Sequence, residues 1–308
     1  MKRTPVAVVV VLGLGLAACG GRSRASSPFG KPLKSPTTLA ERMIAMLPDG
    51  AQLLVEVDLA RLRANPTVGE VTKRFLASLG EDTRIPGLPL AVQGSPLAQS
   101  NLVILAAYGV GTAQAASVVL LATKAEVTGS VRLADDIVAL GPTEWTQQLE
   151  ARAGIAQHTA IAPSLSLMPL RDHAMPAKAP GAVLRVTAQL PFDARVSLAR
   201  QTGLETAPAQ LSIWADVVDD FAVIVDADAA DPGDKQAKDA AARLSRSITV
   251  LLTALGNEPA LKALGLAGAL RDVRMITERT WVRMIITVGP RQLERAVERA
   301  RAMLGPAP

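Results

Sequence analysis

The chain has 308 residues, 49% hydrophobic and 20% charged, which is long enough for about two domains and apolar enough to pack a core. Its net charge of +5 sits at the N-terminus: Lys2 and Arg3 supply +2, Arg22, Arg24, Lys31 and Lys34 supply +4, and everything from Thr38 onward nets −1. A near-neutral body with only 3% aromatic residues excludes nucleic-acid binding, and a single cysteine excludes an internal disulfide.

The chain opens like an export signal: Lys2 and Arg3, an uncharged apolar run over residues 6–16, then small residues. The run is short for a membrane span of about 20 residues. The four residues Leu16-Ala17-Ala18-Cys19 resemble the lipobox of bacterial lipoproteins. That resemblance implies that residues 1–18 are a signal peptide, removed after the Cys19 thiol takes a diacylglyceryl group, and that the new amine is acylated. Gly20 in place of Asp implies sorting to the periplasmic face of the outer membrane. One acyl chain holds a protein only marginally, whereas two or more hold it stably. Residues 19–37 then form the lipidated start and a flexible basic linker, rich in Gly, Ser and Pro and poor in large apolar residues. Its root-mean-square reach is about 25 Å.

Thr38-Leu39-Ala40-Glu41 has the capping-box pattern and predicts a short helix to Leu47. Pro48-Asp49-Gly50 is a turn. Over residues 52–59, Leu53, Val55, Val57 and Leu59 alternate with a set holding Gln52, Glu56 and Asp58, which predicts a half-buried strand. Asn65-Pro66 caps a helix striped with Val68, Val71, Phe75 and Leu79 and stopped by Gly80. Prolines 86, 89 and 96 predict a loop over 84–100. Residues 101–108 and 116–122 read as a hairpin. The uncharged stretch 101–123 is long enough for a bilayer, but two central glycines, Thr112 and Gln114 oppose a span. A shorter hairpin turns at Asp135-Asp136, and Gly141-Pro142 opens a helix through Arg152.

Four prolines between Gly154 and Gly181 mark the best domain boundary. Beyond it, a strand over 182–190 and a helix over 192–201, ended by Gly203, lead into strands 209–217 and 221–227. Asp231-Pro232 caps a long helix whose stripe is Ala237, Ala241, Leu244, Ile248, Leu251 and Leu255. Gly256-Asn257-Glu258-Pro259 breaks it, and a short helix runs to Leu264. A last hairpin, 273–277 with 281–288, precedes a Gly289-Pro290 helix facing inward through Leu293, Val297, Ala300 and Leu304.

The halves repeat an order of elements. Ala51-x-Leu53 aligns with Ala182-x-Leu184, and Ile137 to Pro142 aligns with Ile285 to Pro290. The expected fold is α+β, with two similar lobes, 38–153 and 182–308. Each lobe is an antiparallel sheet with helices on one face, and 154–181 connects them. The lobes would pack sheet edge to sheet edge or helix layer to helix layer.

Catalytic chemistry is hard to place. The two histidines, His158 and His173, lie in the Pro-rich connector and read as solvated loop residues, and no Gly-x-Ser-x-Gly occurs. No Cys/His set suits zinc. Asp216, Asp219 and Asp220 are weak candidates for a hard cation, Asp226, Asp228 and Asp231 miss the spacing of a calcium loop, and Asp234 suits the first turn of the long helix. Trp145, Trp214 and Trp281 read as core, with a shared ligand wall as the alternative. No cofactor motif appears. The sequence therefore predicts a non-enzymatic lipoprotein, held to the membrane through Cys19, that binds or scaffolds a protein partner. The alternative is a carrier or sensor of an apolar, lipid-like ligand held between the lobes.

Overall fold

The computed structural model of the chain describes residues 37–79, 94–156, 167–176, 181–229 and 237–304. Cys19, the linker, His158, Asp231, Asp234 and most of the 84–100 loop lie outside them.

Helix α1 (Leu39–Met46) starts at the predicted box: Glu41 N donates to Thr38 Oγ1, and Glu41 Oε2 accepts from Thr38 N. Partial burial pushes the Glu41 carboxyl up, but hydrogen bonds from Thr37 and Thr38 outweigh it and hold it below its ordinary value. Strand β1 (Leu53–Asp58) leads directly into α2 (Leu59–Ala64), capped by Asp58 Oδ1, and then α3 (Gly69–Ser78). Asn65 caps the turn before α3 by accepting from Thr67 N and Val68 N, so the helix begins later than Asn65-Pro66 suggested. Helix α4 (Gly94–Gln99) occupies the end of the predicted loop. The hairpins follow as expected: β2 (Leu102–Tyr108) with β3 (Ala116–Ala122), then β4 (Val131–Ala134) with β5 (Ile137–Leu140). Gly109 and Gly111 take positive φ at the first turn. Helix α5 (Thr143–Ala156) closes this half.

The second half runs α6 (Met168–Arg171), β6 (Leu184–Gln189), α7 (Phe192–Thr202), β7 (Gln210–Val217), β8 (Phe221–Asp228) and α8 (Ala237–Asn257). It finishes with α9 (Pro259–Leu264), β9 (Arg274–Glu278), β10 (Trp281–Val288) and α10 (Pro290–Leu304).

Among the described residues, ten strands join one antiparallel sheet, ordered β4-β5-β3-β2-β1-β6-β7-β8-β10-β9. The halves therefore meet edge to edge, through β1 and β6, with Val55 opposite Val186 and Leu53 opposite Ala188. Each half contributes five strands in the same outward order. The closing segments β5 and β10 hold the same place in their halves and end at Leu140 and Val288, each directly before Gly-Pro. They differ in length: Ile137 starts β5 opposite Ala122, whereas β10 starts at Trp281, four residues before Ile285, opposite Asp228.

Directly opposed residues share a face, so the registers sort the side chains into two layers. The front face carries Val55, Leu105, Val119, Val186, Ile213, Val225 and Met284, and α3, α4, α8 and α10 cover it. The back face of the first half carries Leu54, Ile104 and Leu120 and is covered by α1 and α5. Helices thus lie on both faces of the first half, which corrects the one-face expectation. The physical reason is that β2 and β3 are apolar at almost every position and must be buried on both sides. The final helices differ too. Leu149 and Ala153 of α5 pack behind the sheet, whereas Leu293 and Val297 of α10 pack in front. No helix among the described residues is long and apolar enough to cross a membrane.

Candidate functional site, an ionic clasp behind the central strands

The predicted boundary is not an empty spacer. Residues 167–176 lie across the back of the sheet. Leu167, fully buried, and Leu170 anchor them, and Pro169 starts the single turn of α6. The helix points Arg171 at Glu56 in the middle of β1. Arg171 Nε donates to Glu56 Oε1 at 2.6 Å and Nη2 to Oε2 at 2.7 Å, with both residues buried. Burial works to discharge Arg171, but its bonds to Glu56 and the nearby charges of Glu56, Asp172 and Glu41 outweigh that and raise its pKa. Glu56 therefore does not face water, as strand alternation suggested.

The next residues continue the clasp. Arg185 of β6 donates to Asp172, and Ala174 N donates to Ser212 Oγ of β7. His173 reaches β8 and β10. Its Nδ1 lies 2.8 Å from Asp226 Oδ2, and its ring stacks on Trp281 with centroids 4.0 Å apart. Asp226, 1% exposed, also accepts from Arg283 Nε at 2.7 Å and Nη2 at 2.6 Å. These bonds outweigh partial burial and raise the Arg283 pKa. Arg283 Nη2 also donates to the His173 carbonyl at 3.2 Å. His173 is thus an exposed turn residue, as its sequence position suggested, and also a member of a network that the sequence did not indicate.

A histidine oriented by a carboxylate is the base half of a nucleophile–base pair. The other half is missing among the described residues: no hydroxyl or thiol bonds to His173 Nε2, and nearby Ser212 is fully buried with its Oγ accepting from Ala174 N. What the network does is hold chain to sheet.

The remaining sequence candidates lie apart. Asp216 is buried and held by Arg61, with Nε at 2.9 Å from Oδ1 and Nη2 at 2.6 Å from Oδ2. Asp219 and Asp220 occupy the exposed β7–β8 turn. Among the described residues no group of three or more His, Cys, Asp or Glu is placed to hold a metal ion. The tryptophans do not share a wall: Trp145 packs on Tyr108, Trp214 Nε1 donates to Gly181 O, and Trp281 carries His173. Burial raises the Tyr108 pKa above its ordinary value. Between the halves, where an apolar ligand was expected as the alternative, lies the β1–β6 strand pair. A groove of about 420 Å³ lies instead by the far edge, lined by Leu252, Leu270, Val273 and Met275 among others.

The sequence signal for this site is present but faint. Glu56, Arg185, Asp226 and Arg283 are charges inside apolar strand patterns.

No family model matches the chain, and no curated protein does. Among solved structures, the protein TP0453 matches in two crystal forms, I and III, with 6% and 8% sequence identity. Each match covers 83% of this chain and 96% of the other at a TM-score of 0.42, a likeness that carries no functional argument.

Proposed function

We propose that the protein is a lipoprotein with a non-enzymatic binding or scaffolding role, anchored through Cys19 to the periplasmic face of the outer membrane. The anchor reading rests on the Leu16-Ala17-Ala18-Cys19 motif and the basic linker after it. The observation that carries the non-enzymatic reading is the closure of the clasp. Glu56, Arg171, Asp172, Arg185, His173, Asp226 and Arg283 each have a partner within it, so none waits for a substrate. We also read the two five-strand halves as a duplicated lobe. Their shared outward strand order and the two-fold register about Val55 and Val186 support this.

Membrane fractionation of the Cys19→Ser variant tests the anchor. The variant should appear in the soluble periplasmic fraction or remain uncleaved. A cleaved variant that still floats with outer membranes overturns the reading.

A further inference from the structure

The sheet ends in two edge strands that differ in how they are finished. An edge strand presents a row of unpaired backbone N–H and C=O groups, which natural proteins blunt or use. The β4 edge is blunted. Its register breaks between Arg132 and Ala134, and the Arg132 guanidinium donates to the carbonyls of Ala125 and Asp135 at 2.9 Å each. The β9 edge is not. Arg274–Glu278 pairs with β10 in unbroken register, from Arg274 opposite Ile285 to Glu278 opposite Trp281.

The five residues of β9 read Arg-Met-Ile-Thr-Glu. Laid antiparallel against itself about Ile276, this segment sets Arg274 opposite Glu278 at both ends, Met275 opposite Thr277, and Ile276 opposite itself. The two ion pairs and the isoleucine pair fall on the back face together. Shifting the register by two residues sets each Arg274 against Ile276, shifting it by four sets like charges opposite each other, and an in-register parallel pairing does the same. Only one arrangement satisfies both charges. Arg274 has no ion-pair partner among the described residues, and Ile276 is one of the few large apolar side chains left exposed, at 37%.

We propose that β9 is the seam of a homodimer, formed by antiparallel pairing of Arg274–Glu278 with the same segment of a second copy. The two-fold axis stands perpendicular to the sheet at Ile276, so one sheet runs through both copies with their back faces on the same side. The interface is isologous and closes on itself, leaving the blunted β4 edges at the two ends.

Sedimentation velocity on the full chain in detergent, over a concentration series, tests the seam. The wild type is expected to show a monomer–dimer equilibrium. Arg274→Glu sets two glutamate pairs face to face and should weaken the dimer by about tenfold or more. Glu278→Arg should do the same, and the double exchange Arg274→Glu with Glu278→Arg should restore the wild-type constant. In a Cys19→Ser background, Ile276→Cys should oxidise to a covalent dimer, whereas Arg132→Cys at the other edge should not. A wild type that stays monomeric overturns the proposal. So does a dimer indifferent to Arg274→Glu, or one that the double exchange fails to restore.

Discussion

Arg171 and Glu56 meet across 115 residues of chain with both side chains nearly dry. Such a pair specifies where the connector lies more than it stabilises the fold, because taking both charges out of water costs about what their attraction returns. Removing one partner is different, because the other charge stays buried and uncompensated. Arg171→Met should therefore cost about 3–5 kcal/mol in denaturant unfolding. The double variant Glu56→Leu with Arg171→Met should be close to wild type or more stable. A second prediction concerns Glu41. Its folded pKa is depressed, so its contribution is fully present above the ordinary carboxylate pKa and fades as pH falls through the lower folded value. The stability gap between wild type and Glu41→Gln should accordingly shrink in acid. The capping box was legible because its groups lie three residues apart. The clasp was not, because alternation along β1 assigns Glu56 to water and says nothing of an arginine so distant in sequence.

At the scale of elements, local patterns carried most of the information. Hairpins were marked by turn residues between apolar strand runs, and Gly203 and Gly265 end α7 and α9 in the left-handed conformation. The helix at 94–99 was masked by Pro96, which its first turn tolerates. Helix α8 shows the stripe most plainly. Ala241, Leu244 and Ile248 are buried against Val225, Val282 and Met284, whereas Val250 is exposed. Ile248→Asp should therefore destabilise strongly, because an unpaired carboxylate would enter that cluster. Val250→Asp, two residues along the same helix, should stay within about 0.5 kcal/mol of wild type. Thermal unfolding of both variants checks the contrast, and equal effects would refute the packing of α8.

For the whole molecule, the order of elements along the chain does not record how the first five strands join the last five. The choice between edge-to-edge and helix-to-helix packing depended on which strands stay unpaired within a half, and no local pattern records that. The β1–β6 pairing also changes what unfolding should look like. Opening that pair uncovers Val55 and Val186, and the clasp ties Glu56 in the first half to a segment that also holds Asp226 and Arg283 in the second. Scanning calorimetry should therefore show one transition with calorimetric and van't Hoff enthalpies in agreement. Two separated transitions would mean that the halves unfold independently.

The central position of β1 has a further consequence, for biogenesis. Val55 waits for Val186, 131 residues downstream. Contacts so distant in sequence close slowly, and a nascent chain that has emerged only through β5 carries its middle strand with one flank bare. Whatever escorts this chain during synthesis must shield that strand until β6 is made.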